Sequence, residues 1–205
     1  AAIERAGSTV EQVLQDAQAI VYSTTVGTNA LIERRGTKLG LITTKGFEHT
    51  VQVGRARNWG DGLPTEKKYD RGRAMRPEPI IPQHRIIGIQ ERIDNLGNVI
   101  VPMSDEEVKN KVQKLVDEGV RGFVVVTLNA FINPDHERRI GKIILEQYPE
   151  CYLGHMPVYL SHQISPKSGE YRRSMTVIID AYLRDLTEGH VLRLSDDLRD
   201  LGYNR

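Results

Sequence analysis

Residues 22–55 read YSTTVGTNALIERRGTKLGLITTKGFEHTVQVGR, and this stretch predicts the order of the first structural elements. The apolar run at residues 19–21, just before it, is typical of a buried strand, and residues 29–35, followed by Gly36, are typical of a short helix. Residues 38–43 predict a second strand. Two strands joined through a helix favour a parallel pair with a right-handed crossover. The stretch therefore indicates an α/β fold.

Small hydroxyl and amide side chains crowd the turn between the first predicted strand and its helix. They are Ser23, Thr24, Thr25, Thr28 and Asn29. At the start of a helix, unpaired backbone N–H groups and the positive end of the helix dipole favour an anion or a polarised carbonyl. The same side chains also suit simple capping, since Thr24 or Thr25 alone would satisfy those N–H groups. The turn by itself favours ligand binding and capping equally.

The rest of the chain alternates strand and helix patterns. A capping box at residues 8–11 opens a helix that runs to residue 18, and another at residues 104–107 opens a helix that Gly119 ends. Residues 122–128 form a continuous apolar run, typical of a parallel strand covered on both faces. The remaining predictions are a short helix at 47–53, a hairpin of 84–93 with 99–101, a helix from 133 to 148, a strand at 158–160, and final helices at 170–186 and 190–201. Two β-α-β units predict an α/β architecture with a mainly parallel sheet and covering helices.

These elements divide the chain into four predicted parts. They are a first α/β unit with the hydroxyl-rich turn at residues 1–55, an excursion loop at 56–83, a hairpin plus a second α/β unit at 84–186, and a C-terminal helix at 187–205. The loop is rich in Gly, Pro and charge and has too few spaced apolar residues for a core of its own. Because Trp59, Tyr69 and Met75 lie among its arginines and glycines, we predict a subunit contact there, with a disordered loop nearly as strongly favoured.

Composition limits the functions that the chain can have. Its 205 residues suffice for one buried core or two small lobes, and a formal net charge of +1 gives no reason to expect binding to nucleic acid or to a membrane. The single cysteine, Cys151, excludes an internal disulfide framework, and no apolar stretch approaches the length of a membrane span. The sequence therefore predicts a cytoplasmic protein.

Ligands of open α/β sheets collect beyond the carboxyl ends of the strands. In this chain those positions are residues 23–28, 43–46, 129–133 and 161–165. At the third of them, Asn129 and His136 suit binding of substrate or metal. The alternative is that Asn133 or Asp135 caps the helix and His136 is exposed in its first turn, and local chemistry favours the cap by about two to one.

Glu170 and Arg173 lie three residues apart at the start of the next predicted helix. They can form a surface ion pair or together bind a polar substrate, and the surface pair is favoured at about three to two because exposed ion pairs are common. The histidines show no spacing typical of a metal site. A G-x-S-x-G serine motif is absent from the sequence, and residues 36–46 contain neither familiar phosphate loop. No catalytic residue is therefore assigned.

Several motifs together resemble the hydantoinase A / oxoprolinase family. They are TTVGTNALIER at 24–34, TTKGF at 43–47, Gly54-Arg55, RPEPIIPQHR at 76–85, ERID at 91–94, LNAFINPDHERR at 128–139 and GEYRRSMTVIIDAYL at 169–183. Each motif is weak alone, but their order and spacing across nearly the whole chain are specific. The insert at 55–79 is most similar to the ATP-dependent ketone carboxylases of that family, the acetone and acetophenone carboxylase subunits.

The resemblance implies a fold, a reaction and partners. It implies part of an ATPase lobe of the actin and sugar-kinase superfamily, in an enzyme that uses ATP and Mg or Mn to phosphorylate a carbonyl or amide oxygen. Ketone carboxylases would form an enol phosphate in this way, whereas oxoprolinases and hydantoinases would prepare a lactam or imide ring for opening. A hydantoinase B-like partner subunit is implied as well. No biotin-attachment motif is seen.

The resemblance also implies which residues face substrate or phosphate. The turn residues would serve as hydrogen-bond donors that line the site, and Glu170 and Arg173 match the family's E-Y-x-R positions. Asn129 stands where the family typically has His, which argues against a proton-transfer role there. Met175 and Asp180 replace the usual Thr and Asn, so that helix is expected to face a different neighbour.

One family feature is missing from this chain. Members begin with an Asp-containing, Gly-Gly-Thr phosphate hairpin and carry a second glycine-rich loop further on, and the sequence contains neither. We therefore expect an internal piece of a longer subunit that is inactive alone. The alternative is a non-catalytic interaction domain whose partner subunit carries out the chemistry.

Overall fold

The computed structural model describes residues 9–54, 64–69, 78–149 and 156–203. The chain divides into two compact units, one made of Thr37–Tyr182 and the other of Ala1–Gly36 together with Leu183–Arg205. The strands described below all lie in the larger unit.

A parallel sheet forms the centre of the larger unit. In chain order the strands are β1 (Leu39–Thr44), β2 (Ile86–Ile89), β3 (Arg92–Ile93), β4 (Val99–Val101), β5 (Gly122–Val126) and β6 (Val158–Leu160). Strands β2, β1, β5 and β6 lie side by side in that order and all run parallel, while β3 and β4 form a separate antiparallel pair. Leu41 of β1 lies opposite both Ile86 and Val124. The predicted α/β architecture with a mainly parallel sheet is confirmed.

Helices follow most of the strands. They are α1 (Val10–Asp16), α2 (Val26–Ile32), α3 (Thr50–Val53), α4 (Thr65–Lys68), a 3₁₀ turn (Gln83–Arg85), α5 (Asp105–Asp117), α6 (Asp135–Gln147), α7 (Ser161–Ile164) and α8 (Glu170–Asp200). Among the residues that the structure describes, no helix combines the length and the apolar character needed to cross a bilayer.

One face of the sheet packs against α5 and α6. Ile42, Phe123 and Val125 point to this face and share a buried core with Val112 of α5 and Ile143 of α6. Successive side chains of a strand alternate between faces, so every second residue of β1 and β5 reaches this core. Because all five residues of β5 are buried, the strand covered on both sides that the run at 122–128 predicts is confirmed for residues 122–126.

The opposite face of the sheet lies towards the start of α8. Thr43 of β1 and Val126 of β5 line a small cavity there with Glu170 and Ser174 of α8. Thr44, the next residue of β1, points to the α5 and α6 side by the same alternation. Two consecutive threonines therefore serve different faces of the sheet.

Helix α5 begins and ends where its sequence signals predict. The hydroxyl of Ser104 accepts a hydrogen bond from the backbone N–H of Glu107 at 3.4 Å, and Gly119 takes a left-handed φ of 74° just after the helix. The second half of the predicted capping box does not form. The carboxylate of Glu107 instead accepts from the backbone N–H of Gln90, at 3.2 and 3.3 Å.

The strand predicted at residues 19–21 is wrong. These residues have no regular secondary structure, and the side chain of Val21 is 95% exposed. A run of three apolar residues becomes a strand only where a neighbouring strand pairs with it, and no described strand pairs with this run. The parallel partners of β1 are β2 and β5.

The helix predicted at residues 29–35 is shifted towards the N-terminus. Helix α2 begins at Val26 and ends at Ile32, and Arg34 rather than Gly36 takes the left-handed conformation that follows it, with a φ of 58°. The capping box of helix α1 is shifted by one residue in the opposite direction, towards the C-terminus. This box joins Thr9 and Gln12, with N···O distances of 3.2 and 3.0 Å, and Ser8 lies outside the described residues.

The two final helices predicted from the sequence are one helix. Helix α8 runs without a break for 31 residues from Glu170 to Asp200, through Gly189. A glycine inside a helix costs only about 1 kcal/mol, which does not end a helix of this length. Most of the predicted loop at 56–83 lies outside the described residues, including Trp59 and Met75, while Tyr69 is exposed. The subunit contact predicted for this loop stays a prediction.

The predicted hairpin is confirmed in part. Only β3 pairs with β4, while Ile86–Ile89 joins the parallel sheet instead. Asp94 holds the turn, because its carboxylate accepts from the backbone N–H of Leu96 at 2.8 Å and from the backbone and side-chain N–H groups of Asn98 at 2.8 and 3.0 Å. These bonds, the side-chain amide of Asn98 first, lower the pKa of Asp94 from its ordinary value of 3.8.

We expect Asp94 to make the stability of this chain depend on acid pH. Its folded-state pKa is depressed, so its contribution is fully present above pH 3.8 and is lost as the pH falls through the folded-state value. Thermal melting followed by circular dichroism across this range should show a shallower pH dependence for Asp94→Asn than for the unmodified chain. Equal slopes for the two proteins would contradict the assignment.

Candidate functional site

Polar residues stand at the carboxyl end of each strand of the parallel sheet. Thr44 is the last residue of β1, Thr127 follows β5, Ser161 follows β6, and Glu91 lies two residues beyond β2. All four are buried, with exposures between 0 and 3%. Buried polar groups need partners, and this edge of an open α/β sheet is where ligands bind. The four residues therefore mark the candidate site.

Glu91 joins the first of two carboxylate–histidine pairs at this edge. The backbone N–H of Leu128 donates to the hydroxyl of Thr44 at 2.8 Å, and that hydroxyl donates to Oε1 of Glu91. The other carboxylate oxygen of Glu91 lies 2.6 Å from Nδ1 of His136. Residues from β1, the segment after β2 and the start of α6 are held together in this way.

Glu137 forms the second pair, with His162. Its Oε1 accepts from the backbone N–H of Thr127 at 2.9 Å and from the hydroxyl of Ser161 at 2.5 Å. Its Oε2 lies 3.0 Å from the backbone nitrogen of His162 and 2.8 Å from Nδ1 of the same residue. A single fully buried carboxylate thus joins the ends of β5 and β6 to the start of α6.

The first turn of α6 supplies one member of each pair. Asn133 accepts from the backbone N–H of Asp135 at 3.0 Å, but the N-cap position belongs to Pro134 and carries no side-chain capping bond, so Asn133 is not the helix cap that the sequence predicts. His136 and Glu137 follow and point in different directions, because successive residues of a helix are about 100° apart. The prediction that His136 is exposed is wrong, since it is 7% exposed and bonded to Glu91.

Arg173 is buried, which corrects the prediction of a surface pair with Glu170. Its guanidinium donates to the backbone carbonyls of Thr127 at 2.7 Å and Lys167 at 3.2 Å, and lies 5.4 Å from the ring centroid of Phe131. Burial lowers the pKa of Arg173, against the opposing charges of Glu137 and Glu170. The side chain ties the start of α8 to the end of β5.

Glu170 lies beside an open pocket on the α8 face of the sheet. The pocket has a volume of about 320 Å³ and is lined by the aromatic rings of Phe47 and Tyr171, with Thr50 and Arg172. This size lies within the range of small-molecule sites. Glu170 is half-buried at its wall and therefore remains a candidate to contact substrate.

Asn129 has a structural partner. It takes a left-handed φ of 56°, a conformation that asparagine tolerates better than most residues, and its amide nitrogen donates to the backbone carbonyl of Ile93 at 2.9 Å. It is half-buried and joins the loop after β5 to the hairpin strand β3.

The hydroxyl-rich turn belongs to the smaller unit, and its polar side chains are exposed there. The hydroxyl of Thr24 accepts from the backbone N–H of Val26 at 3.2 Å, while Thr25, at the N-cap position, makes no side-chain capping bond. The amide nitrogen of Asn29 lies 3.4 Å from the hydroxyl of Thr25. Thr24 thus satisfies one N–H group at the start of α2, and Thr25, Thr28 and Asn29 present polar atoms to solvent.

Sequence reasoning missed Glu91 and Glu137 as members of the site. Their only signal is position, since Glu91 lies just after a strand and Glu137 follows a histidine at a helix start. Among the described residues, no group of three or more His, Cys, Asp and Glu side chains is arranged to hold a metal ion. The chemistry that the arrangement does offer is proton transfer by two carboxylate-bound imidazoles.

Comparison with known proteins identifies the family. The hydantoinase/oxoprolinase N-terminal region matches residues 1–148 of this chain. The acetophenone carboxylase gamma subunit of Aromatoleum aromaticum is 39% identical over 201 residues, which cover 98% of this chain and 28% of that subunit.

Solved structures show the same fold. A nucleotide-free structure of acetone carboxylase, studied for ATP-dependent acetone carboxylation, superposes with a TM-score of 0.86 at 26% identity, over 98% of this chain and 28% of that one. The ATP-dependent caprolactamase of Pseudomonas jessenii superposes with a TM-score of 0.84 at 24% identity, over 100% of this chain and 28% of that one. The present chain thus spans little more than a quarter of these relatives. Its matched region and its 39% identity to a carboxylase subunit establish that it belongs to the hydantoinase/oxoprolinase family.

Proposed function

We propose that this chain is a segment of an ATP-dependent carboxylase subunit that activates a ketone by phosphorylating its enol or enolate before carboxylation. The observation that carries the proposal is the 39% identity to the acetophenone carboxylase gamma subunit, over 98% of this chain. The alternative within the family is an ATP-dependent oxoprolinase or hydantoinase that opens a lactam or imide ring. The fold shared with a caprolactamase is compatible with that alternative.

Three helix N-termini of the larger unit do not suit the phosphates of ATP. Helices α5, α6 and α8 each carry an acidic residue in the first turn. A carboxylate there occupies the positive end of the helix dipole and repels a phosphate group. We therefore propose that the parent subunit binds ATP and its Mg or Mn ion through other segments, and that this segment lies in or beside an actin-like or sugar-kinase-like lobe. A hydantoinase B-like partner subunit completes the proposed enzyme, and the segment alone is inactive.

The proposed function is tested on the complete subunit, purified with its partner subunits. Phosphate release from ATP is measured with acetone or acetophenone plus bicarbonate, and in parallel with caprolactam or 5-oxoproline. Phosphate release that depends on the ketone, together with a carboxylated product that forms only in the presence of bicarbonate, would support the carboxylase. Release with the cyclic amides alone would support the ring-opening alternative, and no release with either class would exclude both.

The hydroxyl-rich turn gives a prediction that separates ligand binding from capping. We propose that Thr25, Thr28 and Asn29 donate hydrogen bonds to a substrate or phosphate oxygen in the parent enzyme. Asn29→Ala should then lower turnover by about a hundredfold or more, as loss of one oxyanion donor does. Its melting temperature should stay close to wild type, because the side chain is exposed. Thr24→Ala is the control, since its hydroxyl caps a backbone N–H group and its loss should lower stability by about 0.5–2 kcal/mol.

A further inference from the structure

We propose that His162 is a catalytic residue of the parent enzyme, whose Nε2 removes a proton from the carbon next to the substrate carbonyl, and that Glu137 is its positioning residue. The proposal rests on the proposed action on a ketone and assigns the base that such an enolisation needs. Neither residue was singled out for this role by the sequence.

The surroundings of Glu137 fix the orientation of the His162 ring. Three of its contacts come from groups that donate to it, namely the backbone N–H groups of Thr127 and His162 and the hydroxyl of Ser161. We assign the proton of the His162 ring to Nδ1, because an Nδ1–H that donates to Glu137 adds a fourth bond in the same direction. The ring and the backbone of the same residue are bound to one oxygen, which prevents rotation of the imidazole.

The other ring nitrogen of His162 is left free for chemistry. Nε2 has no hydrogen-bond partner among the described residues, and the side chain is 11% exposed. With the proton on Nδ1, Nε2 holds a lone pair in the plane of the ring. The residue lies two positions beyond β6, at the sheet edge where ligands bind. A fixed, accessible lone pair at this position is what a general base requires.

The step that follows from this arrangement balances without a further reactant. The lone pair on Nε2 takes the proton from the α-carbon of the ketone. The C–H electron pair becomes the C=C bond, and the carbonyl π pair moves to oxygen to give the enolate. The ring becomes an imidazolium, which is stabilised by the buried carboxylate of Glu137 beside its Nδ1. The enolate oxygen is then the nucleophile that the proposed activation needs.

The pair formed by Glu91 and His136 is the less suitable base. Within the described part of the chain its carboxylate has two partners, Thr44 and His136, and the backbone of His136 is not bound to it. The His136 side chain is also slightly less exposed, at 9%. Glu137 and His162 therefore form the better oriented and more accessible of the two pairs.

The test uses the complete enzyme with acetone or acetophenone as substrate and the variants His162→Gln and His162→Ala. Exchange of the ketone α-protons with D₂O is followed by NMR, alongside kcat and KM. His162→Gln should lower both α-proton exchange and kcat/KM by roughly 10²–10⁴-fold, the usual loss for a general base. Free imidazole should restore part of the exchange in His162→Ala, which a purely structural role would not produce.

Control variants separate catalysis from folding. His84→Gln changes an exposed histidine of the same unit and should leave exchange and kcat/KM unchanged. Glu137→Gln puts an amide donor where four donors converge, so it should lower kcat more than it raises KM. Glu137→Asp keeps the carboxylate and should therefore retain more activity than Glu137→Gln. A wild-type exchange rate in His162→Gln, or a loss of turnover with exchange intact, would overturn the proposal. A wild-type enzyme that turns over lactams but no ketone would instead overturn the proposed function.

Discussion

Arg173→Ala is expected to lower the free energy of unfolding of this chain by about 3–5 kcal/mol, because it removes a donor from two backbone carbonyls, one of them in a buried residue, and empties the space of a large buried side chain. The carbonyls belong to Thr127 and Lys167, and Arg173 itself is 1% exposed. The loss also removes a positive charge near Glu137, whose field opposes the effect of burial on the Arg173 pKa. Urea unfolding followed by circular dichroism measures the change.

The neighbouring Arg172 is the matched control. It lies on the same turn of α8 but is exposed, so Arg172→Ala should change the free energy of unfolding by less than about 0.5 kcal/mol. A similar loss in both variants would show that helix propensity or net charge, and not the buried contacts of Arg173, sets the stability.

Glu137→Ala is also expected to lower the free energy of unfolding by roughly 3–5 kcal/mol, because it removes the acceptor of several buried donors at once. The backbone N–H of Thr127, the hydroxyl of Ser161 and the backbone N–H of His162 would all lose their partner. These groups lie at the ends of two strands and have no second acceptor in the network described above. The same urea titration measures the effect.

Glu146 provides the comparison for this substitution, because it lies on the same helix but at its surface. Its carboxylate is 3.8 Å from Arg139 and 3.9 Å from Lys142, distances typical of weak exposed pairs. Glu146→Ala should therefore cost less than about 1 kcal/mol. An equally small loss of unfolding free energy in Glu137→Ala would contradict the prediction. It would mean that water replaces the carboxylate and that the network contributes little to stability.

The sequence predicts those elements whose signals are local. The five buried residues of β5 form a continuous apolar run, and α5 has both a Ser104 cap and a Gly119 stop, so each element follows from its own residues. The strand prediction for residues 19–21 is wrong because a strand depends on a partner elsewhere in the chain. The break predicted between residues 186 and 190 is absent because the cost of the one glycine there, Gly189, is small against the many bonds of a 31-residue helix.

The candidate site is predictable only in outline. Strand ends can be located from apolar runs, so the sequence predicts the ligand-binding positions at 43–46 and 161–165. The roles of Glu91 and Glu137 depend on contacts with residues 45 and 25 positions away in the sequence. Burial of His136 and Arg173 follows from the same distant contacts, which explains why local base rates predicted both residues at the surface.

The polar network at the sheet edge has a consequence for the order of folding. Its hydrogen bonds join residues far apart in the chain, with separations of 84 for Leu128 and Thr44, 47 for Thr44 and Glu91, and 46 for Arg173 and Thr127. Closing such long loops is slow, and these bonds can form only once the strands that carry them are side by side. The network therefore belongs to a late stage of folding. Its loss should accelerate unfolding far more than it slows folding, so these side chains determine how long the folded unit persists.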